Sequence, residues 1–488
     1  DEFGESIFKE LNYYNEATNI LRFRDIFKDN PRIYIPHVDM KHTTHRMLIM
    51  ERIFGMSPDD PLQLKAAGLD PVQIALNGAE ALLIMVFKEG FFHADPHAGN
   101  LFILPGNRVA FIDFGMVGAL RPREMDFLAN LSIGFARRDP IGLYLHIPFC
   151  DGKCPYCDFY SVKADGDLMD RYIGALEHAL KTQPYKIQRL DTVYFGGGTP
   201  SALGGRRLTR LMDAVCRTFT VSPDAEITVE CNPHSALEPA LRALRGAGVN
   251  RLSFGMQSAD DRQLRALGRR HTARGFASAV KAARQCGFEH LSFDLMLATP
   301  GQTNADIDSA VKLCAQLGAE HVSAYLLKIE QGTPFAARHI EAECPDEDGQ
   351  ADLYLYAVEA LARQGYEQYE ISNFARDGHV ARHNLKYWDG KEYLGVGPAA
   401  HSFVNGRRFF FPRDLAAFLQ ADEPFSLCVD DGLGGGAQEY ILLRLRLTEG
   451  VVWKTLAARF PGYDARALHE KARRIPDGLL VSDMRGLR

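Results

Sequence analysis

The sequence predicts an α/β chain built around a partial (β/α)6 barrel, with a small α+β module after it and a mostly helical segment before it. Three observations carry this. From residue 141 onward, short apolar strands alternate with amphipathic helices, the pattern of parallel strand–helix units. The residues with the most distinctive chemistry fall at the ends of those strands, where barrel sites lie. Residues 1–149 contain no cysteine, while all nine lie from Cys150 onward, as if two units of different origin meet near Asp139-Pro140.

Strands are predicted over 142–147, 191–195, 226–230, 251–255, 290–295 and 321–326. Helices between them cover 170–181, 206–218, 237–246 and 275–285; the last carries Phe276, Val280 and Ala283 on one helical stripe. The expected domains are 1–138, then the barrel at 139–375, then a C-terminal module at 376–488. That module has helices near 437–445 and 465–475, a Gly-rich loop at 431–436, and a winged-helix-like hairpin cut short at 477–488. The chain opens on Asp1, so a beginning further upstream is expected.

At 488 residues there is room for about three domains. A net charge of −6 gives no reason to expect nucleic acid as a partner. No apolar run approaches the roughly 20 residues of a membrane span. The best runs from Ala81 to Phe87, so no integral membrane segment is expected. Nothing at the start resembles a signal peptide. Nine cysteines, three of them clustered, fit a reducing cytoplasm better than a disulfide framework.

Cys150, Cys154 and Cys157 stand on one short loop in the spacing Cys-x3-Cys-x2-Cys. Thiolates in this pattern can converge on one iron–sulfur cluster; a full cage needs a fourth ligand, so with three, one iron stays open to a small molecule. A zinc site prefers paired Cys-x2-Cys with a second pair or histidines, and no second pair exists here. Gly196-Gly-Gly-Thr-Pro200 follows the second strand, where exposed N–H groups would meet a carboxylate or polarise an amine. Glu230, Gln257 and Asp294 end the third, fourth and fifth strands, and Arg269 is suited to pair bidentately with a carboxylate. Further upstream, His93-Ala-Asp-Pro-His-Ala-Gly-Asn100 and Asp113-Phe-Gly115 read as phosphoryl-transfer machinery. Asp95 would position a hydroxyl, and Asn100 and Asp113 would hold Mg2+.

Residues 1 to about 138 resemble the UbiB-type atypical kinases of ubiquinone biosynthesis, with Glu10-Leu-Asn12, Glu16-Ala-Thr-Asn19 and Met50-Glu-Arg52 adding to the likeness. That family's nucleotide-covering loop and phosphate-pairing lysine lie upstream of Glu10. The expectation is therefore a kinase C-lobe fragment that packs a core without turnover. Residues 141–488 resemble the radical SAM proteins of the coproporphyrinogen III oxidase-like branch, and within it the HemW-type heme chaperones. The matching segments include 144–159, 191–203, 251–257, Thr299-Pro-Gly-Gln-Thr303, Gln368-Tyr-Glu-Ile-Ser-Asn-Phe374 and 395–402. The resemblance implies a 4Fe-4S cluster on the three cysteines. It also implies S-adenosylmethionine (SAM) contacts from Tyr144, Gly197, Gly198, Thr199, Glu230, Gln257, Arg269 and Asp294.

Two details choose the chaperones within that branch. The oxidases carry a further cysteine two residues after the third, where this chain has Phe159. His383-Asn-Leu-Lys-Tyr387-Trp388 resembles the heme-binding motif of the chaperones, which implies heme contacts from His383, Tyr387 and Trp388; His401 is a weaker ligand candidate. Leu297-Ala-Thr-Pro300 departs from the Gly-Leu-Pro of the pattern. The expected partners are heme, a heme-acceptor protein and an electron donor. The competing expectations are an oxygen-independent coproporphyrinogen III oxidase and an ATP-dependent kinase of quinone biosynthesis.

Overall fold

Parallel strands whose outward residues are apolar, each followed by a helix with one apolar stripe, bury both faces of a sheet and leave its interior to polar groups. The computed structural model describes residues 12–121, 124–125, 128, 140–163, 165–233, 238–472, 475, 480–481, 483 and 485–488. The chain divides into two units, Asp1–Arg138 and Asp139–Arg488. Glu10 and Leu11 of the kinase-like match, the start of the helix expected at 237, and residues 477–479, 482 and 484 of the final hairpin lie outside the described residues.

In the second unit, strands β1 (Ile141–Ile147), β2 (Arg189–Gly197), β3 (Thr220–Cys231), β4 (Arg251–Gln257), β5 (His290–Leu297) and β6 (His321–Leu326) correspond to the six predicted. They pair in parallel from β1 to β6 in chain order. Between them run α1 (Gly166–Thr182), α2 (Gly204–Thr218), α3 (Glu238–Gly246), α4 (Ala273–Gln285) and α5 (Asn304–Gln316). Side-chain caps start several of these: Asp165 accepts from Leu168 N, and Thr303 with Asp306 forms a capping box on α5. Val193, Phe195, Val229, Leu252, Phe254, Phe293 and Val322 point outward into the core shared with these helices.

The sheet does not stop at six strands. A helix (α6, Glu347–Arg363) leads to β7 (Glu367–Glu370) and β8 (Asn373–Ala375), which add antiparallel beyond β6. After α7 (Arg382–Trp388), strand β9 (Tyr393–Val396) pairs parallel with β1, and β10 (His401–Val404), β11 (Arg407–Phe410) and β12 (Val429–Leu433) follow antiparallel. One open twelve-stranded sheet results, in the order β7-β8-β6-β5-β4-β3-β2-β1-β9-β10-β11-β12. The first half of the Gly-rich loop expected at 431–436 is the edge strand β12, because Arg407 and Phe409 of β11 give it a partner. At the chain's end, helices Ala437–Arg444, Trp453–Arg459 and Ala465–Ala472 surround a two-stranded ribbon of Val451–Val452 and Gly486–Leu487. They enclose a small core of Tyr440, Ile441, Val451, Leu456 and Leu487. The helix at 453–459 was not predicted.

The first unit has a helix Tyr13–Phe27, capped by Asn12, and a helix Pro71–Leu83 that continues as one π-helical stretch, Ile84–Lys88. It also holds a three-stranded sheet of Ile33–Tyr34, Arg108–Phe111 and Leu101–Leu104, and a pair Phe91–His93 with Val117–Ala119. Ala17, Ile20, Phe23, Ile74, Met85 and Phe111 form its core. The run Ala81–Phe87 is thus the second half of an 18-residue helix, Pro71–Lys88, of mean hydropathy 1.2. That helix is long and apolar enough to cross a membrane by length and composition alone, a test that the core helices of soluble proteins also pass.

Candidate functional site

A cavity of about 570 Å³ opens at the C-terminal ends of the barrel strands. Cys150, Cys154 and Cys157 line it from the loop after β1, Gly197, Gly198 and Thr199 from the end of β2, and Glu230, Gln257 and Asp294 from β3, β4 and β5. Arg269, on the loop before α4, completes the set. The three cysteines carry free thiols, each partly buried. Thr199 Oγ1 donates to Cys150 Sγ at 3.4 Å and Arg269 Nη1 to Cys154 Sγ at 3.5 Å. Burial pushes the Cys157 thiol up, with neighbouring Cys154 adding to it.

Two half-buried carboxyls, Glu230 and Asp294, line this space. Glu230 accepts from Tyr194 Oη at 2.9 Å and from Gly197 N at 3.1 Å. Burial, reinforced by nearby Asp294, nevertheless pushes it up to about 7. Asp294 accepts from Ser253 Oγ at 3.4 Å, and burial lifts it to about 6. Arg269 spans the wall, donating from Nη2 to Asn232 Oδ1 (3.1 Å) and Gly255 O (2.9 Å).

Two polar atoms here are buried with no partner of their own, Gln257 Oε1 and Arg269 Nε. An orphaned buried group costs about 1–3 kcal/mol, so their collection in one cavity fits a site that a polar ligand completes. Gln257 is held at φ +66, a strained backbone for a non-glycine residue, where the pairing of β4 with β5 shifts register. The donor set therefore fits both groups expected here, a cluster on three thiolates and a ligand with amino, carboxylate and hydroxyl functions.

The triple-glycine loop differs from expectation. Its amides are already used: Gly197 N donates to Glu230, Gly198 N to Ile147 O at 2.8 Å, and Thr199 N to Phe149 O at 2.7 Å. This wall therefore suits an amino group rather than a carboxylate. Glycine is needed because a Cβ on Gly197, at φ +115, would meet the His146 ring at 2.7 Å, and one on Gly198 the Phe149 carbonyl oxygen at 2.6 Å. Tyr144 stands behind the lining: its hydroxyl shares a 3.1 Å hydrogen bond with His146 Nδ1, and its ring stacks on Tyr194.

The motif on α7 is also placed otherwise than expected. His383 is 1% exposed, and both ring nitrogens are engaged, Nδ1 with Thr192 Oγ1 at 2.8 Å and Nε2 with Tyr387 Oη at 2.9 Å. Burial drives its pKa down to about 3, so the ring is neutral. Trp388 lies under the Arg446 guanidinium at 4.3 Å. Of this motif only Asn384 lines the cavity, because packing of α7 against β2 turns His383 and Tyr387 into the core. His401 stacks on Phe410 at the far side of β9.

Sequence reasoning missed Tyr194, Arg251, Ser253, Ser292, His321 and Ser323, all of which line the cavity. Their signal was period two: Tyr194 with Gly196, Arg251 with Ser253 and Gln257, Ser292 with Asp294, His321 with Ser323 and Tyr325.

In the first unit, Asn100 Nδ2 donates to Asp95 O at 3.1 Å, and Asp95 Oδ2 lies 3.5 Å from His97. Asp113 is exposed at φ +60. Its loop is tied to the first helix, where Phe114 N donates to Glu16 Oε1 (3.2 Å) and Asn19 Nδ2 to Phe114 O (2.9 Å). Burial raises the Glu16 carboxyl, and Asp113 adds to that.

Three cysteines and a SAM-sized polar cavity at the C-terminal mouth of a partial barrel define a radical SAM protein, and residues 144–314 match the Radical SAM superfamily. Residues 1–144 match the ABC1 atypical kinase-like domain. The chain is 38% identical over 331 residues to the heme chaperone HemW of Mycobacterium tuberculosis, covering 65% of this chain and 85% of that protein. HemW of Bacillus subtilis is 34% identical, with 65% and 86% covered, and HemW of Escherichia coli is 36% identical, with 55% and 72% covered. The chain belongs to the HemW family. Among solved structures, coproporphyrinogen III oxidase (HemN) from Escherichia coli shares the fold with a TM-score of 0.62 at 24% identity, covering 72% of this chain and 86% of that one.

Proposed function

We propose that this chain is a radical SAM heme chaperone, which binds heme alongside a 4Fe-4S cluster and SAM and passes the heme to an acceptor protein. The observation that carries the reading is the cavity just described, in a chain whose relatives are named heme chaperones. When bound, the cluster and SAM supply a redox-active iron and a sulfonium at one end of that cavity.

The chain's own residues do the rest. Cys150, Cys154 and Cys157 hold the cluster, and Arg269 steadies Cys154 from 3.5 Å. Glu230, fixed by Tyr194 and Gly197, accepts from the amino group of SAM, with Gly198 and Thr199 shaping that wall. Asp294 accepts from ribose hydroxyls, and Gln257 supplies an unused acceptor. Tyr144 acts through Tyr194, on which it stacks. At the rim, Phe159 (68% exposed), Tyr325 and Leu326 offer apolar surface, with Lys328 and Arg413 beside them. That rim suits a flat macrocycle carrying carboxylates, and we set the heme there, with His383, Tyr387 and Trp388 as support behind the wall. On this reading residues 139–375 hold SAM and 376–488 complete the heme site. Residues 1–138 keep the kinase-like constellation of Asp95, Asn100 and Asp113. An electron donor and a reducing cytoplasm suit nine free thiols.

The test is anaerobic reconstitution with iron and sulfide, then heme titration followed by absorbance and transfer to an apo-hemoprotein. One heme per chain, delivered without decarboxylation of coproporphyrinogen, is expected. Turnover of the porphyrinogen would replace this reading with the oxidase.

A further inference from the structure

The N-terminal ends of the barrel strands carry a second cavity, of about 290 Å³, at the end of the barrel opposite the cysteines. Its wall includes His290, the first residue of β5, Glu320, just before β6, and His379, in the turn before α7. His290 Nδ1 stands 2.8 Å from Glu320 Oε2, and His379 Nδ1 stands 3.8 Å from the same oxygen. The two imidazoles face each other at 5.4 Å between centroids. One ligand atom from each residue lies within 4.8 Å of the others.

The geometry points to a site for one divalent transition-metal ion of the Zn2+ type, held by His290, Glu320 and His379. Two bonds of about 2.1 Å at the tetrahedral angle set ligand atoms about 3.4 Å apart, and the observed 2.8 and 3.8 Å bracket that separation. Two imidazoles with one carboxylate select a borderline cation over Mg2+ or Ca2+, which take oxygen ligands. The backbone pre-sets the three residues. Glu320 N donates to Leu291 O at 3.2 Å, Arg376 N to Glu320 O at 2.9 Å, and His379 N to Arg376 O at 2.9 Å. Each ligand side chain is partly exposed, so an ion enters without unfolding the barrel.

Three protein ligands beside an open cavity leave a fourth position for water or an anionic group. Arg251 and Arg382 line the same cavity, and the Nη2 of Arg251 is buried with no partner. These guanidiniums suit an anion at that fourth position. Arg251 and His321 also line the cysteine-bearing cavity, so one layer of side chains separates the two spaces. The inference rests on these contacts alone and is independent of the heme reading.

The experiment is a calorimetric titration of Zn2+ into the full chain after anaerobic reconstitution of the cluster, which keeps Cys150, Cys154 and Cys157 occupied. One Zn2+ per chain is expected. His290→Ala and His379→Ala should each weaken it at least about tenfold at unchanged iron content. Glu320→Gln keeps the shape of the side chain and should weaken Zn2+ equally, which guards against an alanine variant that folds poorly. No stoichiometric Zn2+ binding by the wild type, or binding of wild-type strength in all three variants, overturns the proposal.

Discussion

The imidazole of His383 stacks on the ring of Tyr194, with centroids 5.2 Å apart and planes 27° from parallel. Tyr194 then donates to Glu230, so the α7 motif reaches the cavity through a ring and a hydroxyl. His383 is therefore a buried support for a carboxyl that lines the cavity.

His383→Ala should cost about 2–4 kcal/mol, because it leaves the Thr192 and Tyr387 hydroxyls without a partner and removes a packed ring. Urea unfolding measures this. In the folded variant, heme should bind with an unchanged absorption maximum. A shifted maximum would make His383 an iron ligand that breaks both bonds on binding.

Glu230 titrates at about 7 in the fold against 4.5 normally, so between those values the native state holds a proton that the unfolded chain has lost. Stability attributable to this group therefore falls as pH rises from about 4.5 to about 7. Glu230→Gln removes that dependence. Its stability relative to wild type should grow by about 2–3 kcal/mol between pH 5 and pH 8, measured by urea unfolding. At pH 8 the same variant should bind SAM about 10- to 100-fold more weakly by equilibrium dialysis.

Replacing Cys150, Cys154 or Cys157 singly with Ala should drop cluster iron after reconstitution to a small fraction of wild type, read by iron assay and visible absorbance. Cys428→Ala and Cys216→Ala, remote from the cavity lining, should retain it. Full iron in a Cys154→Ala chain would remove this residue from the ligand set.

Lys386 is 4% exposed, and its ammonium donates to Asp191 Oδ2 at 2.9 Å and to Pro140 O at 3.0 Å. Asp191→Ala strands a buried charge and should cost about 3–5 kcal/mol in thermal or urea unfolding. Adding Lys386→Met should recover much of that loss, since the pair then disappears as a unit.

Much of the site was legible because its chemistry sits in contiguous motifs. Three cysteines lie within eight residues, and Glu230, Gln257 and Asp294 each lie in the C-terminal half of a strand recognisable from its apolar run. The polar layer beneath was legible only in the alternation that puts Ser253 inward and Phe254 outward. What one sequence did not convey is long-range closure. Strand β9 returns to pair with β1 from some 250 residues away, and the amides of Arg382 and His383 donate to Glu226 at 2.9 and 3.0 Å. That anchor turns His383 inward, and no local pattern around the motif announces it. His290, Glu320 and His379 escaped notice for the same reason, since the start of one strand, the residue before the next and a later turn bring them together.

Glu226 and Glu230 belong to one strand, four residues apart, and so share a face about 13 Å from each other. The first grips the start of α7, and the second faces the ligand cavity. That distance is set by covalent geometry, so β3 is a fixed ruler between two tasks. Variation can retune either carboxylate but not the interval between them. Any change in how α7 sits has to be taken up by the loops at its two ends.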